Sequence, residues 1–181
     1  MLYKTSLQIE NSMKFDPTKL VSFQRPNYFE GKLMTAADFR AEQEYQNQKR
    51  WLHNRMLHGY GVVAGLEVLI EENENAGAEI IVSPGMALDG WGREIIIPES
   101  LRAKLPSDRR ELLVFVKYVE QKDNDTAPSI FETAQLSLEP PHGARVVTPT
   151  TRADYAIALA RLRRPHLTWQ RDRAFRPPRP R

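Results

Sequence analysis

Histidine and carboxylate side chains are the groups through which this chain could do chemistry. The four histidines are His53, His58, His142 and His166. His53 and His58 lie five positions apart in a segment with a helical pattern. Two ligands on one face of an α-helix are normally four positions apart, so this spacing does not predict a metal site. His58 precedes Gly59, a typical helix end, and we expect its ring to interact with the last helical carbonyls.

Acidic residues of the same segment could in principle form a general acid–base pair. Asp38, Glu42 and Glu44 are candidates, but they fall on a face rich in polar residues. Glu42 with Gln46, and Glu44 with Gln48, are spaced as ordinary neighbours on a solvated helix. We therefore predict no catalytic carboxylate pair here.

Most other catalytic motifs are absent from the sequence. There is no cysteine, which excludes disulfides, thiolate metal sites and a cysteine nucleophile. No phosphate-binding loop, dinucleotide fingerprint or nucleophile elbow occurs. The prediction is a protein that is not an enzyme and holds no metal or cofactor. A small hydrolase with a site assembled from distant residues is the least favoured alternative.

One long helix and a β-rich remainder would position these residues. Thr35 is a good N-cap, and Asp38 completes a start like a capping box. No Gly or Pro interrupts the chain from there to Gly59, so the helix is predicted at about 36–58. From 61 to 170, β-branched runs and turn signals predict six to eight short strands, with a hairpin at Asp89–Gly92. The predicted fold class is α+β: this helix followed by a mainly antiparallel β domain, with extended N- and C-terminal arms.

The sequence also predicts the conformation of several short segments and the domain boundaries. Residues 101–105 could form a helical turn. Residues 155–162 are rich in alanine and could be helical, but their alternation of small and large residues favours a strand, and 166–170 would pair with it. Gly90 and Gly92 are expected to have positive φ angles. The predicted domain boundaries are an N-terminal arm or edge strand at 1–27, one domain at 28–170 and an Arg/Pro-rich tail at 171–181.

Charge is concentrated at the C-terminus. The 181-residue chain has a net charge of +3, but residues 152–181 contain nine arginines and two aspartates, so this region carries +7 and the rest −4. A basic tail on a mildly acidic body predicts docking onto an acidic surface of protein or nucleic acid.

No apolar run is long enough to span a bilayer, and the N-terminus lacks the apolar core of a signal peptide. We expect assembly in the cytoplasm.

Three ordered blocks carry a resemblance to a known family. They are Tyr28–Phe39 (YFEGKLMTAADF), Leu52–Val68 (LHNRMLHGYGVVAGLEV) and Val82–Ile95 (VSPGMALDGWGREI). Together they resemble proteins encoded beside phage tails and phage-tail-like contractile injection systems, at the baseplate or at the attachment of tail fibres. The resemblance covers about residues 28–98. It implies a structural component that binds neighbouring tail, baseplate or sheath subunits within a large particle, and it implies no catalytic residues.

An adaptor of this kind would use aromatic and arginine side chains as anchors. Ordinary core packing is the competing explanation for each aromatic, above all for Phe29 and Trp51. A nucleic-acid-binding adaptor that acts through the tail is the alternative function. The candidate interface residues are Tyr28, Phe29, Trp51, Tyr60, Trp91, Arg171, Arg173, Arg176, Arg179 and Arg181.

Overall fold

The computed structural model describes residues 22–73, 77–122, 129–141 and 156–180. In this part of the chain one helix is followed by ten strands, all paired antiparallel. Helix α1 spans Ala36–His53 and continues into a π-turn at Asn54–His58. The strands are β1 (Gly61–Gly65), β2 (Val68–Asn73), β3 (Gly77–Val82), β4 (Gly85–Leu88), β5 (Glu94–Ile97), β6 (Leu101–Lys104), β7 (Glu111–Gln121), β8 (Phe131–Glu139), β9 (Ala156–Arg163) and β10 (Gln170–Arg171).

A bent antiparallel ribbon forms the first part of the β body. β1 pairs with β4, and β2 pairs with β3, so the same two stretches of chain run side by side through two sheets. The bend lies at Gly65 and Leu66, which have φ angles of +61° and +59°. The Leu66 N–H donates to the carbonyl of Pro84 at 3.3 Å. A Cβ at position 65 would overlap the Pro84 backbone, so this close approach requires glycine.

The remaining strands complete three sheets with the orders β1-β4-β5, β2-β3-β6 and β10-β9-β7-β8. β7 is the central strand, because it pairs with both β8 and β9 over most of its length. The inward faces of the sheets form one apolar core. Its most deeply buried large side chains are Ile80, Ile95, Leu159, Leu162, Val62, Val82, Val114 and Val116.

The predicted α+β class and its main elements are confirmed. The capping box at Thr35 is present, the hairpin connects β4 with β5, and residues 156–163 are a strand that pairs with β10. Ten strands replace the six to eight expected. The bend divides residues 61–73 into β1 and β2, and residues 101–104 add β6. Two other expectations were wrong: residues 101–104 form β6, and Gly90 lacks a positive φ. The helix predicted at about 36–58 is confirmed, and its last turn is a π-turn. The predicted strand within 1–27 lies mostly outside the described residues.

Candidate functional site: a projecting tip and its joint to the body

Helix α1 is attached to the β body at one end. Trp51, 6% exposed, is its single buried residue, and from Ala36 to Arg50 every position is exposed or half-buried. The exposed positions are mostly charged or amide residues, so the flank of the helix carries no apolar stripe that would favour a bundle. At 1.5 Å per residue the helix is about 27 Å long. It therefore acts as a polar strut.

Residues 22–34 run back along this strut. The ring of Phe23 packs edge-to-face on Tyr45, with 6.4 Å between centroids, and Lys49 lies 5.2 Å from the Phe23 ring centre. Nearer the start of the helix, the Tyr28 hydroxyl donates to Glu42 at 3.2 Å. These contacts hold the preceding segment against the helix.

Residues 27–39, which we call the tip, are held by a network of hydrogen bonds at the free end of the strut. A turn at Glu30–Gly31 is closed by the Lys32 N–H, which donates to the Phe29 carbonyl at 3.1 Å, and Gly31 supplies the required positive φ of +80°. The Lys32 ammonium donates to the Asn27 carbonyl at 3.1 Å and pairs with Asp38 at 2.7 Å. One lysine thus ties the turn to the first turn of the helix.

The N-cap completes this network. The Thr35 backbone N–H and hydroxyl both donate to the Asp38 carboxylate, at 3.0 and 2.6 Å. The ammonium of Lys32 and these two donors hold the pKa of Asp38 well below its ordinary value of 3.8. Desolvation, followed by the hydrogen bond to Glu42 and its charge, raises the pKa of Tyr28 above its ordinary value.

The tip exposes large apolar side chains despite this order. Tyr28 is 50% exposed, Phe29 64%, Phe39 59% and Leu33 84%. None of the four is buried, so the hydrogen bonds fix the backbone while the apolar groups remain in water. Tyr28 and Phe29 are among the residues predicted from sequence to lie at an interface, and Leu33 and Phe39 are not. Leu33 precedes the helix, and Phe39 fits the apolar stripe of a helix that faces a core.

The attached end of the helix meets the β4–β5 hairpin, and we call this contact the joint (residues 51–55 with 89–94). The Asn54 amide donates to the Gly92 carbonyl and to the Glu94 carboxylate, both at 2.8 Å. A Cβ at position 92 would overlap the Trp51 carbonyl oxygen, and Gly92 also has a φ of +89°. The Arg55 guanidinium lies 5.6 Å from the centre of the Trp91 ring. Two of the three family-like blocks therefore meet here.

A buried ion pair fixes the hairpin from within. Asp89 is fully buried and accepts hydrogen bonds from the backbone N–H groups of Trp91 and Arg93, at 2.8 and 2.9 Å. The Arg93 side chain pairs with the same carboxylate at 2.5 Å, and its guanidinium lies 4.7 Å from the Tyr118 ring centre. Burial raises the pKa of Asp89, while these donors and the charge of Arg93 oppose the shift.

The two histidines of the helix end lie side by side, contrary to the expectation from their spacing. Their ring centroids are 5.7 Å apart with an interplanar angle of 61°. The reason is the π-turn, in which the Gly59 N–H donates to the Asn54 carbonyl at 3.1 Å. A turn closed after five residues returns to the same side of the helix. Nothing in the local composition distinguishes this turn from a regular α-helical one.

The basic tail lies back on its own body. The Val62 N–H donates to the Pro178 carbonyl at 2.8 Å, and a side chain at Gly61 would overlap the same backbone. The Arg176 guanidinium bonds the carbonyls of Arg173 and Phe175. The described tail arginines are exposed and take part in no ion pair with another described residue; they are Arg171, Arg173, Arg176 and Arg179.

The other predicted interface residues are placed as follows. Trp51 is buried in the joint, Trp91 is half-buried beside it, and Tyr60 is half-buried against the core. Arg181 lies outside the described residues.

Among the residues that the structure describes, no three His, Asp or Glu side chains are grouped to hold a metal ion. Within those ranges no helix has the length and apolar character needed to cross a membrane.

The α+β architecture is shared with solved proteins. No protein-family model matches the chain, and no curated protein is similar to it in sequence. A chain in the cryo-electron microscopy structure of the type VI secretion system TssK–TssF–TssG baseplate subcomplex matches with a TM-score of 0.52 and 16% identity, over 87% of this chain and 62% of that one. A crystal structure of TssK matches with a TM-score of 0.56 and 11% identity, over 86% and 42%. The baseplate complex from the type VI secretion system contains a chain with a TM-score of 0.53 and 17% identity, over 87% and 60%.

These comparisons confirm, at the level of the fold, the expected likeness to baseplate proteins of a contractile, phage-tail-like system. The chain spans between 42% and 62% of the length of the three solved chains named above.

Proposed function

We propose that this chain is a non-enzymatic structural component of a contractile, phage-tail-like particle, at or near its baseplate, where it binds neighbouring subunits. The shared fold with type VI secretion baseplate proteins supports the particle and the position within it. The three family-like blocks support the same assignment. The shared fold alone does not imply an adaptor role. That role is supported by the exposed apolar side chains of the tip.

The observation that carries the adaptor role is the contrast between order and exposure at the tip. A rigid loop loses little conformational entropy when it binds, which leaves more of the contact energy for affinity. The exposed aromatic rings on such a loop are suited to an apolar pocket, since aromatic residues are enriched at interfaces and are frequent anchors. The exposed Leu33 adds apolar surface that a partner would bury. The polar strut holds them away from the β body. We infer that the tip inserts into an apolar pocket of a different subunit.

Sedimentation of the native particle tests the particle assignment. The chain, followed by mass spectrometry across a gradient of a native lysate, should travel with a megadalton particle that contains sheath and tube proteins. A chain that stays at the top of the gradient as a small oligomer contradicts the particle assignment.

A matched pair of variants tests the tip alone. Leu33→Ser alters a side chain that is 84% exposed on the tip, and Leu167→Ser alters one that is 82% exposed on the body. We expect Leu33→Ser to reduce the co-sedimenting fraction at least tenfold and Leu167→Ser to leave it unchanged. If the wild-type chain co-sediments and Leu33→Ser does so equally well, the tip is not the docking element, and the particle assignment stands.

The tail supports a second contact. Exposed arginines without acidic partners among the described residues suit an acidic groove on a neighbouring protein. A variant with Arg171, Arg173 and Arg176 changed to Glu should lose this contact while the Pro178 bond to the body is retained. Steeply salt-dependent binding to oligonucleotides by the wild-type chain, lost in this variant, would favour the nucleic-acid alternative instead.

A further inference from the structure

We propose that His53 and His58 form a two-histidine site for a first-row transition-metal ion such as Ni²⁺ or Zn²⁺ on the outer surface of the π-turn. The site lies outside the docking elements described above and does not depend on them. Imidazole is a preferred ligand of these ions, whereas Mg²⁺ and Ca²⁺ prefer oxygen.

The π-turn is the structural reason that the pair exists. In a regular α-helix, residues five apart are rotated by about 140° from one another, so their side chains diverge. Here the bond from Gly59 to Asn54 closes a wider turn, and His53 and His58 come to the same side. π-turns in helices are uncommon and often occur at functional positions.

The distance between the rings fits shared coordination. Each ligating nitrogen lies about 2.0–2.1 Å from the metal, which puts two ring centres on a tetrahedral ion roughly 5 Å apart. The observed separation is 5.7 Å. Both side chains are exposed, so a small rotation brings the nitrogens to the ion, and the ion can enter from solvent.

The imidazole nitrogens are not committed to another role in the described part of the chain. Apart from their contact with each other, neither His53 nor His58 makes a described hydrogen bond or ion pair, and neither packs in the core. The neighbouring arginines have partners away from the two imidazoles, because Arg50 pairs with Glu94 and Arg55 lies over the Trp91 ring. Water would fill the remaining coordination positions.

Calorimetric titration of the full chain, without a histidine tag, with NiCl₂ and ZnCl₂ tests the site. We expect one ion per chain, release by EDTA and no heat of binding with MgCl₂. His53→Asn and His58→Asn should each weaken binding at least tenfold, since either change destroys the chelate. The matched control is His166→Asn, an exposed histidine distant in sequence, which should bind as the wild type does.

The singly substituted variants show whether the metal ion binds at His53 and His58. Circular dichroism at 222 nm of the metal-free proteins should show that all three remain folded, since exposed side chains are changed. Retention of wild-type affinity by either His53→Asn or His58→Asn, or loss of binding in His166→Asn alone, overturns the proposal. Absence of saturable Ni²⁺ and Zn²⁺ binding by the wild-type chain overturns it as well.

Discussion

The β body and the tip are ordered by opposite means. In the body, large apolar side chains such as Ile80 and Leu159 are removed from water, and their burial is the main stabilising contribution. In the tip, Lys32, Thr35 and Asp38 fix the backbone through hydrogen bonds while Phe29 and Leu33 stay exposed. The body therefore depends on packing for its stability. The tip buries little apolar surface, so we expect it to contribute little to stability.

Removal of the buried carboxylate should produce the largest loss of stability. In Asp89→Ala the Arg93 guanidinium loses its carboxylate and two backbone N–H groups lose their acceptor. Removing one partner of a buried ion pair costs about 3–5 kcal/mol. Urea denaturation measures the change. Asp89→Asn keeps an acceptor for the N–H groups and should lose less. Equal losses of stability in the two variants would show that the negative charge of Asp89, and not its hydrogen bonds to the backbone N–H groups, stabilises the hairpin.

A pair of leucine truncations compares the two regions directly. Leu159 is 1% exposed and Leu33 is 84% exposed. Leu159→Ala should lower the free energy of unfolding by about 2–5 kcal/mol through lost burial and a cavity. Leu33→Ala should change it by less than about 0.5 kcal/mol. Comparable losses would mean that the tip is packed against the rest of the chain.

The joint should be less sensitive than the core. Gly92→Ala places a Cβ against the Trp51 carbonyl at a φ of +89°, and such backbone strain costs about 1–3 kcal/mol. Because this position links helix to hairpin, amide exchange should rise in α1 more than in β7 and β9. Gly77→Ala is the matched control, since Gly77 has a φ of +81° but open space around it. An unaltered exchange pattern in Gly92→Ala would mean that the joint does not hold the helix.

The hydrogen-bond network of the tip should have a smaller effect on stability than the joint. Thr35→Ala removes the N-cap and should cost about 1 kcal/mol of helix stability. Asp38 has a pKa below its ordinary value of 3.8, so its contribution is fully present above that value and is lost as the pH falls through the lower folded value. Amide exchange at the start of α1 should therefore increase in strong acid, and salt should weaken the effect because the groups are exposed. In Asp38→Asn this pH dependence should disappear.

The candidate site was only partly accessible from sequence. The exposure of Tyr28 and Phe29 could be proposed from their types, but Trp51 has the same aromatic character and is buried. A lone pattern of apolar residues does not say which of them faces the body. That depends on which parts of the chain meet the helix, and these contacts are tertiary. The β4–β5 hairpin meets it at Trp51, and residues 22–34 meet it nearer its start.

Interactions between residues close in sequence determine several secondary-structure elements of this protein. The capping box, the glycine that ends the helix, the β4–β5 hairpin and the long strand β7 follow from interactions within a few residues, and each was predictable from its residue types. The tertiary structure decided the rest, because it depends on contacts between distant positions. Residues 101–104 form a strand because they pair with β3, and the ribbon bends because Gly65 packs on Pro84. His53 and His58 lie side by side because the end of the helix takes a π-turn where Asn54 bonds to Gly92 and Glu94 of the hairpin.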